Sequence, residues 1–181
     1  MERVNIMNRL YDSITRRVPI IGVSIGNGRS AKQAAEGGAD ILTALNAGRF
    51  RMGGVPSLAS TLPIADCNEL VFDFASKEVV PRIKDVPVLF GACAQDPGYE
   101  KSELIEKIRF EGFDGIVNFP TVSLIDGQFR EALEENGEGF DHEVELIKVA
   151  HEAGLFTVAF AVSMNEAIRM VEAGADVLCI H

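Results

Sequence analysis

Two arginines framed by glycines carry the clearest candidate chemistry in this chain of 181 residues. Gly48-Arg49-Phe50-Arg51-Met52-Gly53-Gly54 follows an apolar run that reads as a strand. Glycines let backbone amides approach a ligand, and a guanidinium fork suits a carboxylate or phosphate. Arg49 and Arg51 are therefore candidate anion ligands, although a mobile surface loop offsetting an acidic surface fits the same residues. Gly26-Asn27-Gly28-Arg29-Ser30-Ala31-Lys32 resembles a phosphate-cradling turn at a helix start, which makes Gly26 and Gly28 binding candidates. It lacks the Gly-Lys-Ser order of a Walker motif, and a plain strand-to-helix turn explains it equally well.

Further candidates stand where other strands should end. Cys93 could act as a nucleophile if a nearby cation lowered its pKa, or simply fill a small apolar space. Asp96, just before Pro97, is either an acid–base or metal carboxylate or a turn residue. Asn118 could polarise a substrate oxygen or pin a loop, with Pro120 beside it. Asp126 and Glu134 could offer a carboxylate to Mg2+ or form part of a lid, or be solvated turn and helix residues. His181 is a candidate acid–base group or ligand, or a frayed terminus. His142 and His151 read as surface or structural, and Glu103, Glu106, Glu143 and Glu145 as a solvated helix face.

The elements that must position these residues announce themselves by repetition. Glu36-Gly-Gly-Ala-Asp40-Ile-Leu, Glu111-Gly-Phe-Asp114-Gly-Ile-Val and Glu172-Ala-Gly-Ala-Asp176-Val-Leu each read as helix end, Gly cap, Asp and buried strand. That repetition means parallel α/β, with any site at the carboxyl ends of the strands. Six strands are expected, at Pro19–Ile25, Ile41–Asn46, Val86–Cys93, Gly115–Phe119, Phe156–Val162 and Asp176–His181. A helix precedes them at residues 4–16, and others are expected at Ser30–Glu36, Ser102–Arg109, Gln128–Glu135, Glu143–Ala153 and Asn165–Ala173, the last capped by Ser163. Ala47–Pro56 reads as a long loop, and Asn68–Asp85, which also alternates like a strand, as a helix starting at Asn68.

A closed (β/α)8 barrel needs about 250 residues, so this chain is expected to fall about two βα units short. The regular parallel repeats favour an incomplete barrel over an open doubly wound sheet. An open edge is expected to be covered by another subunit, making a homo-oligomer, or to mark a truncated chain. A formal charge of −10 argues against nucleic acid and anionic membrane as partners. No run approaches the ~18 apolar residues of a membrane span, and no signal peptide is evident. Cys67, Cys93 and Cys179 fit neither a disulfide framework nor a zinc spacing, so a reducing cytoplasm is expected.

Several segments together resemble the phosphoenolpyruvate hydrolase-like TIM-barrel family, also described as signal-transduction barrels. They are Gly48–Gly54 with Pro56–Ala59, Val88–Pro97, and Asn118–Val122 with Leu124–Gly127, Phe129-Arg130 and Leu133–Glu135. The resemblance implies a parallel (β/α) barrel of TIM type, incomplete here at about six units. Residues 1–181 would form one domain with a helical extension at 1–17. It implies an enzyme that binds a small anionic 2-oxo acid or enol phosphate of the phosphoenolpyruvate or phosphonopyruvate class. The reaction would be Mg2+-assisted hydrolysis or C–C or C–P bond chemistry. Arg49 and Arg51 would clamp the anion, Asn118 would polarise its oxygen, and Asp96 or a bound Mg2+ would activate water. The chain departs from mutase relatives in having no evident Asp-rich metal loop, so no metal ligand is assigned. A non-catalytic binding or assembly barrel and an inactive fragment of such an enzyme are the alternatives.

Overall fold

In the computed structural model, which describes residues 1–181, six strands form one parallel sheet in the order β1 to β6. They are β1 (Gly22–Ile25), β2 (Ile41–Ala44), β3 (Val88–Gly91), β4 (Gly115–Val117), β5 (Phe156–Ala161) and β6 (Val177–Ile180). The order never reverses, as it would at the switch point of a doubly wound sheet. The winding is that of a TIM-type barrel, curled but open between β1 and β6. Eight α-helices accompany it: α1 (Arg3–Thr15), α2 (Gly28–Glu36), α3 (Asn46–Met52), α4 (Cys67–Phe74), α5 (Lys101–Phe110), α6 (Gly127–Glu135), α7 (Asp141–Glu152) and α8 (Met164–Glu172).

The repeated Gly-x-Asp signal has a precise structural use. Gly38, Gly112 and Gly174 take φ of 89°, 88° and 93°, ending α2, α5 and α8 in the left-handed region where a side chain is strained. The aspartate two residues later turns its carboxylate onto the start of the preceding strand. Asp40 accepts the Ile21 N–H at 2.8 Å, Asp114 that of Val88 at 2.8 Å, and Asp176 that of Thr157 at 3.0 Å. Each stitch joins an odd strand to the even strand after it, at the amino end of the sheet.

Alternate strand residues feed two cores. Leu42, Val88, Phe90, Ile116 and Ala159 face the surrounding helices in a cluster of 29 buried residues. Ile41, Leu89, Val117, Phe156 and Val158 face the concave side. That side is covered by α1, whose Ile6 and Leu10 lie four apart on one helix face and insert into it. Charges lock the helix in place: Arg3 grips Asp176 at 2.7 and 2.9 Å, Arg9 donates to the Asp85 carbonyl at 2.7 Å, and the Met1 ammonium pairs with Asp114. Two of the three stitching aspartates thus also anchor α1.

Two local expectations change. Residues 47–56 are not a loop throughout, because α3 begins directly after β2. Gly48 permits this: a Cβ there would stand 2.0 Å from the Ile25 carbonyl oxygen, and one on Gly26 equally close to the Gly48 oxygen. The segment after residue 66 is helical, as expected, but Asp66 caps it by accepting the Glu69 N–H at 2.9 Å, and it runs on as a π-turn over Ala75–Val79. Ser163 caps α8 as expected, accepting from Glu166 N–H at 3.2 Å.

Ile6→Ala should lower the unfolding free energy by about 2–4 kcal/mol, because it opens a cavity against Leu89 and Phe156. Val4→Ala on the exposed face of the same helix should change it by less than about 0.5 kcal/mol. Urea denaturation of both variants checks the docked position of α1, and equal losses would contradict it.

Candidate functional site

Two long excursions rise from the carboxyl rim, one between β2 and α4 and one between β4 and α7. Between them, above the end of β3, lies a cleft of about 490 Å³. Leu62, Pro120, Val122, Ile125 and Phe129 give it an apolar wall, and Cys67, Cys93 and Gln95 form its floor. A second cleft of about 420 Å³ shares those two thiols and Gln95, and adds Asp66 and Asp96. No Lys, Arg or His lines either.

Three fully buried asparagines hold this rim together. Asn68 brackets one residue of the β3 exit: its Oδ1 accepts the Cys93 N–H at 2.9 Å while its Nδ2 donates to the Cys93 carbonyl at 3.1 Å. The same Nδ2 donates to Asp96 at 2.8 Å. Asn118 repeats the device one strand pair on. Its Oδ1 accepts the Phe160 N–H at 2.7 Å and its Nδ2 donates to the Phe160 carbonyl at 3.3 Å and to Glu143. Asn46 donates to the Ser60 carbonyl at 3.2 Å and to Cys67 Sγ at 3.1 Å. An unpartnered buried amide would be costly, so these pairings set the loop paths.

Glu143 is not on a solvated face; it is fully buried beneath the β4 excursion. It accepts the Val122 N–H at 2.8 Å, a bond from Gln95 at 3.4 Å and one from Asn118. Burial pushes its pKa up to about 7, against the pull of those donors and of Thr121. The signal was present in the sequence, since Glu143 shares the stripe of Leu146, Ile147 and Ala150 on α7. Glu145 pairs at the surface with Lys101 at 3.1 Å.

The expected site residues fall into separate groups. Cys93, Asp96 and Pro120 come together around the two clefts. Asn118 lies beneath them with both ends of its amide engaged. Arg49 and Arg51 diverge, as residues two apart on a helix must. Arg49 turns to the helix layer, 3.7 Å from Glu78 and over the Phe74 ring. Arg51 is exposed and donates to Ser57 Oγ at 2.7 Å and to the Ser24 carbonyl at 3.3 Å. The carbonyls of Ile21 and Ile25 point to β2, so that of Ser24 faces the open edge of β1. The turn at Gly26 and Gly28 does cradle an anion, but it is the protein's own: Gly28 N–H donates to Glu78 at 3.0 Å. Asp126 is exposed at the start of α6 and makes no capping bond. Glu134 is tied to Arg130 at 2.7 Å. His181 stands at the end of β6, its ring 5.8 Å from that of Phe160. Sequence reasoning missed Asn46, Asn68 and Cys67 as rim residues, because only the fold brings them to the cleft, and also Gln95, which stands in the β3 exit between Cys93 and Asp96.

These donors do not make a preformed Mg2+ cage. Both Asp96 oxygens already accept hydrogen bonds, from Asn68 and from Gly98 N–H at 2.8 Å each. No group of three or more His, Cys, Asp or Glu side chains is placed to hold a metal ion.

Comparison with known proteins agrees with this architecture. Residues 5–181 match the family model described as phosphoenolpyruvate hydrolase-like. The ToMV susceptible protein tm-1(GCR26) of Solanum lycopersicum is 46% identical over 180 residues, covering 99% of this chain and 24% of that protein. The chain thus spans about a quarter of that relative's length. Among solved structures, phosphoenolpyruvate phosphomutase from Streptomyces platensis subsp. rosaceus superposes with a TM-score of 0.65 at 16% identity, covering 98% of this chain and 63% of that one. Phosphonopyruvate hydrolase in complex with oxalate and Mg2+ gives a TM-score of 0.62 at 14% identity, covering 97% and 62%. At those identities the structural likeness establishes the fold. No helix is long and apolar enough to cross a membrane.

The Glu143 environment sets a pH dependence. A carboxyl with a raised folded-state pKa holds its proton more tightly folded than unfolded. Its contribution is complete below pH 4.5 and is lost as pH rises towards 7, by on the order of 3 kcal/mol. Glu143→Gln removes that titration. Urea unfolding from pH 4.5 to 8 should therefore show the wild type losing stability relative to the variant across that interval, and parallel curves would refute the assignment.

Proposed function

The chain belongs to the phosphoenolpyruvate hydrolase-like family, and from that premise we propose that its carboxyl rim binds a small anionic 2-oxo acid or enol phosphate of the phosphoenolpyruvate or phosphonopyruvate class. The observation that carries this reading is the cleft above β3, where Cys93, Asp96 and Pro120 meet between the two long excursions. Arg51, which stands outside the cleft lining, would be the better anion contact of the two arginines, because it is exposed while Arg49 is paired with Glu78. It grips Ser57, at the start of the 3-10 turn whose Ser60 and Thr61 line the cleft. Asp96 would be the carboxylate that takes a proton at the cleft wall, on giving up its bond from Asn68 or from Gly98. Asn118 acts by positioning the rim through Phe160 and Glu143 rather than by touching substrate. Hydrolysis, or cleavage of a C–C or C–P bond, would need a completed barrel. His181 would contribute there from the end of β6, with Mg2+ arriving as part of the ligand complex.

A second reading is a non-catalytic binding barrel, also cytoplasmic, that assembles through its open edges. It is favoured by the saturation of Asp96 and Asn118 with internal hydrogen bonds and by the absence of a cation from the cleft lining.

Thermal unfolding with phosphonopyruvate, phosphoenolpyruvate, oxaloacetate, oxalate or phosphate, each with and without Mg2+, tests the binding proposal. A ligand specific to the folded state raises Tm by mass action. Arg51→Ala should weaken that ligand about tenfold, equivalent to about 1.4 kcal/mol. Arg49→Ala should lower Tm without altering the ligand-induced rise. A protein that melts cooperatively and responds to none of these ligands would overturn the proposal. Binding without turnover would favour the second reading.

A further inference from the structure

We propose that Cys67 and Cys93 form a peroxide-reactive dithiol site that closes reversibly to a disulfide across the floor of the rim cleft. Both thiols are free and partly accessible, and both line the two adjoining clefts. They come from segments far apart in sequence, the first turn of α4 and the exit of β3. What holds them together is Asn68, the neighbour of Cys67, whose amide brackets both backbone groups of Cys93. The two thiols thus face the same two clefts as neighbours. Two thiols so fixed have little conformational freedom left to lose when they join. Cys179 lies elsewhere, on β6 among the concave-side residues, and serves as an internal control.

The two sulfurs are not equivalent. Cys67 stands in the first turn of α4, where the helix end favours negative charge, and its Sγ accepts the Asn46 Nδ2–H at 3.1 Å. The neighbouring Cys93 thiol is the main cause that draws the Cys67 pKa down. Burial opposes it, Asn46 assists, and Asp66 and Asp96 oppose. Cys93 is pushed up, first by the neighbouring Cys67 and then by burial. Cys93 therefore keeps its proton. Cys67 is the attacking thiolate and Cys93 the resolving thiol.

Hydrogen peroxide is the oxidant. Cys67 first releases its proton to solvent; the thiolate attacks one peroxide oxygen, an S–O bond forms, the O–O bond breaks, and the departing hydroxide takes up a proton from solvent as water. Cys67 is now a sulfenic acid. The Cys93 sulfur then attacks the Cys67 sulfur; the S–S bond forms, the S–O bond breaks, and hydroxide leaves with the Cys93 proton as a second water. Two thiols lose two electrons and one peroxide becomes two waters. The site is independent of which anion the cleft binds, since its readouts are covalent.

The test is to treat the reduced chain with limiting hydrogen peroxide, block remaining thiols with iodoacetamide, and measure intact mass and linked peptides. The expected result is loss of two hydrogens, a Cys67–Cys93 cross-linked peptide, one alkylatable thiol at Cys179, and full recovery with dithiothreitol. Cys93→Ser should stop at a Cys67 sulfenic acid captured by dimedone. Cys67→Ser should lower the rate of oxidation at least about tenfold, since the resolving thiol reacts poorly alone. Cys179→Ser should behave as wild type. A disulfide that includes Cys179, unchanged alkylation of all three thiols, or oxidation of Cys93 at an undiminished rate in Cys67→Ser would each overturn the proposal.

Discussion

A parallel sheet must align strand starts that lie a whole helix apart in sequence, and here three aspartates do that. Asp40, Asp114 and Asp176 each reach from just before an even strand to a backbone amide at the start of the odd strand before it. The carboxylate accepts from the backbone, so the interaction is charge-assisted, and at Asp114 and Asp176 it is also partly shielded from water. It fixes register within the pairs β1–β2, β3–β4 and β5–β6. Asp114 and Asp176 spend remaining capacity on α1, so strand alignment and closure of the concave side share atoms. Without α1, Leu89, Val117 and Phe156 would face the open interior of the curl.

The carboxyl end uses a different device. Asn118 joins β4 to β5, across a boundary that no aspartate stitches. Asn68 likewise fixes the β3 exit from α4. Neutral amides can both donate to and accept from a single residue, which a carboxylate cannot do. Glu143 then ties Asn118 to the backbone of Val122, so the wall of the cleft rests on one buried carboxyl. The rim that carries the candidate chemistry is therefore supported by polar contacts, whereas apolar packing fills the layer below it.

What could be read from the chain follows from how local each cause is. The Gly-x-Asp repeat was legible because a left-handed helix end and a buried strand leave marks within a few residues. The six strands follow, each shorter at its ends than its apolar run. Helix α3 was hidden because Gly48 and Gly53-Gly54 look like a loop, while Gly48 answers a need set by Ile25 across the sheet. The divergence of Arg49 and Arg51 depends on that helix. Cys93, Asp96 and Pro120 were recognisable by their positions at strand exits. Asn46, Asn68 and Cys67 were not, because their importance comes from partners that only the fold supplies. Glu143 lay on a legible apolar stripe, and its charge alone pointed to the surface.

The lining of the rim clefts has a kinetic consequence. Asp66, Asp96 and Glu138 are the charged groups there, on a chain with ten more acidic than basic residues. An approaching dianion meets a repulsive field over roughly the Debye length of 8–10 Å at ordinary ionic strength. Added salt shortens that range, so encounter would quicken as salt rises, the reverse of the usual steering of a charged ligand into an oppositely charged mouth. A ligand whose charge is already offset by a bound cation escapes the barrier. The clefts thus discriminate by charge state before any contact is made.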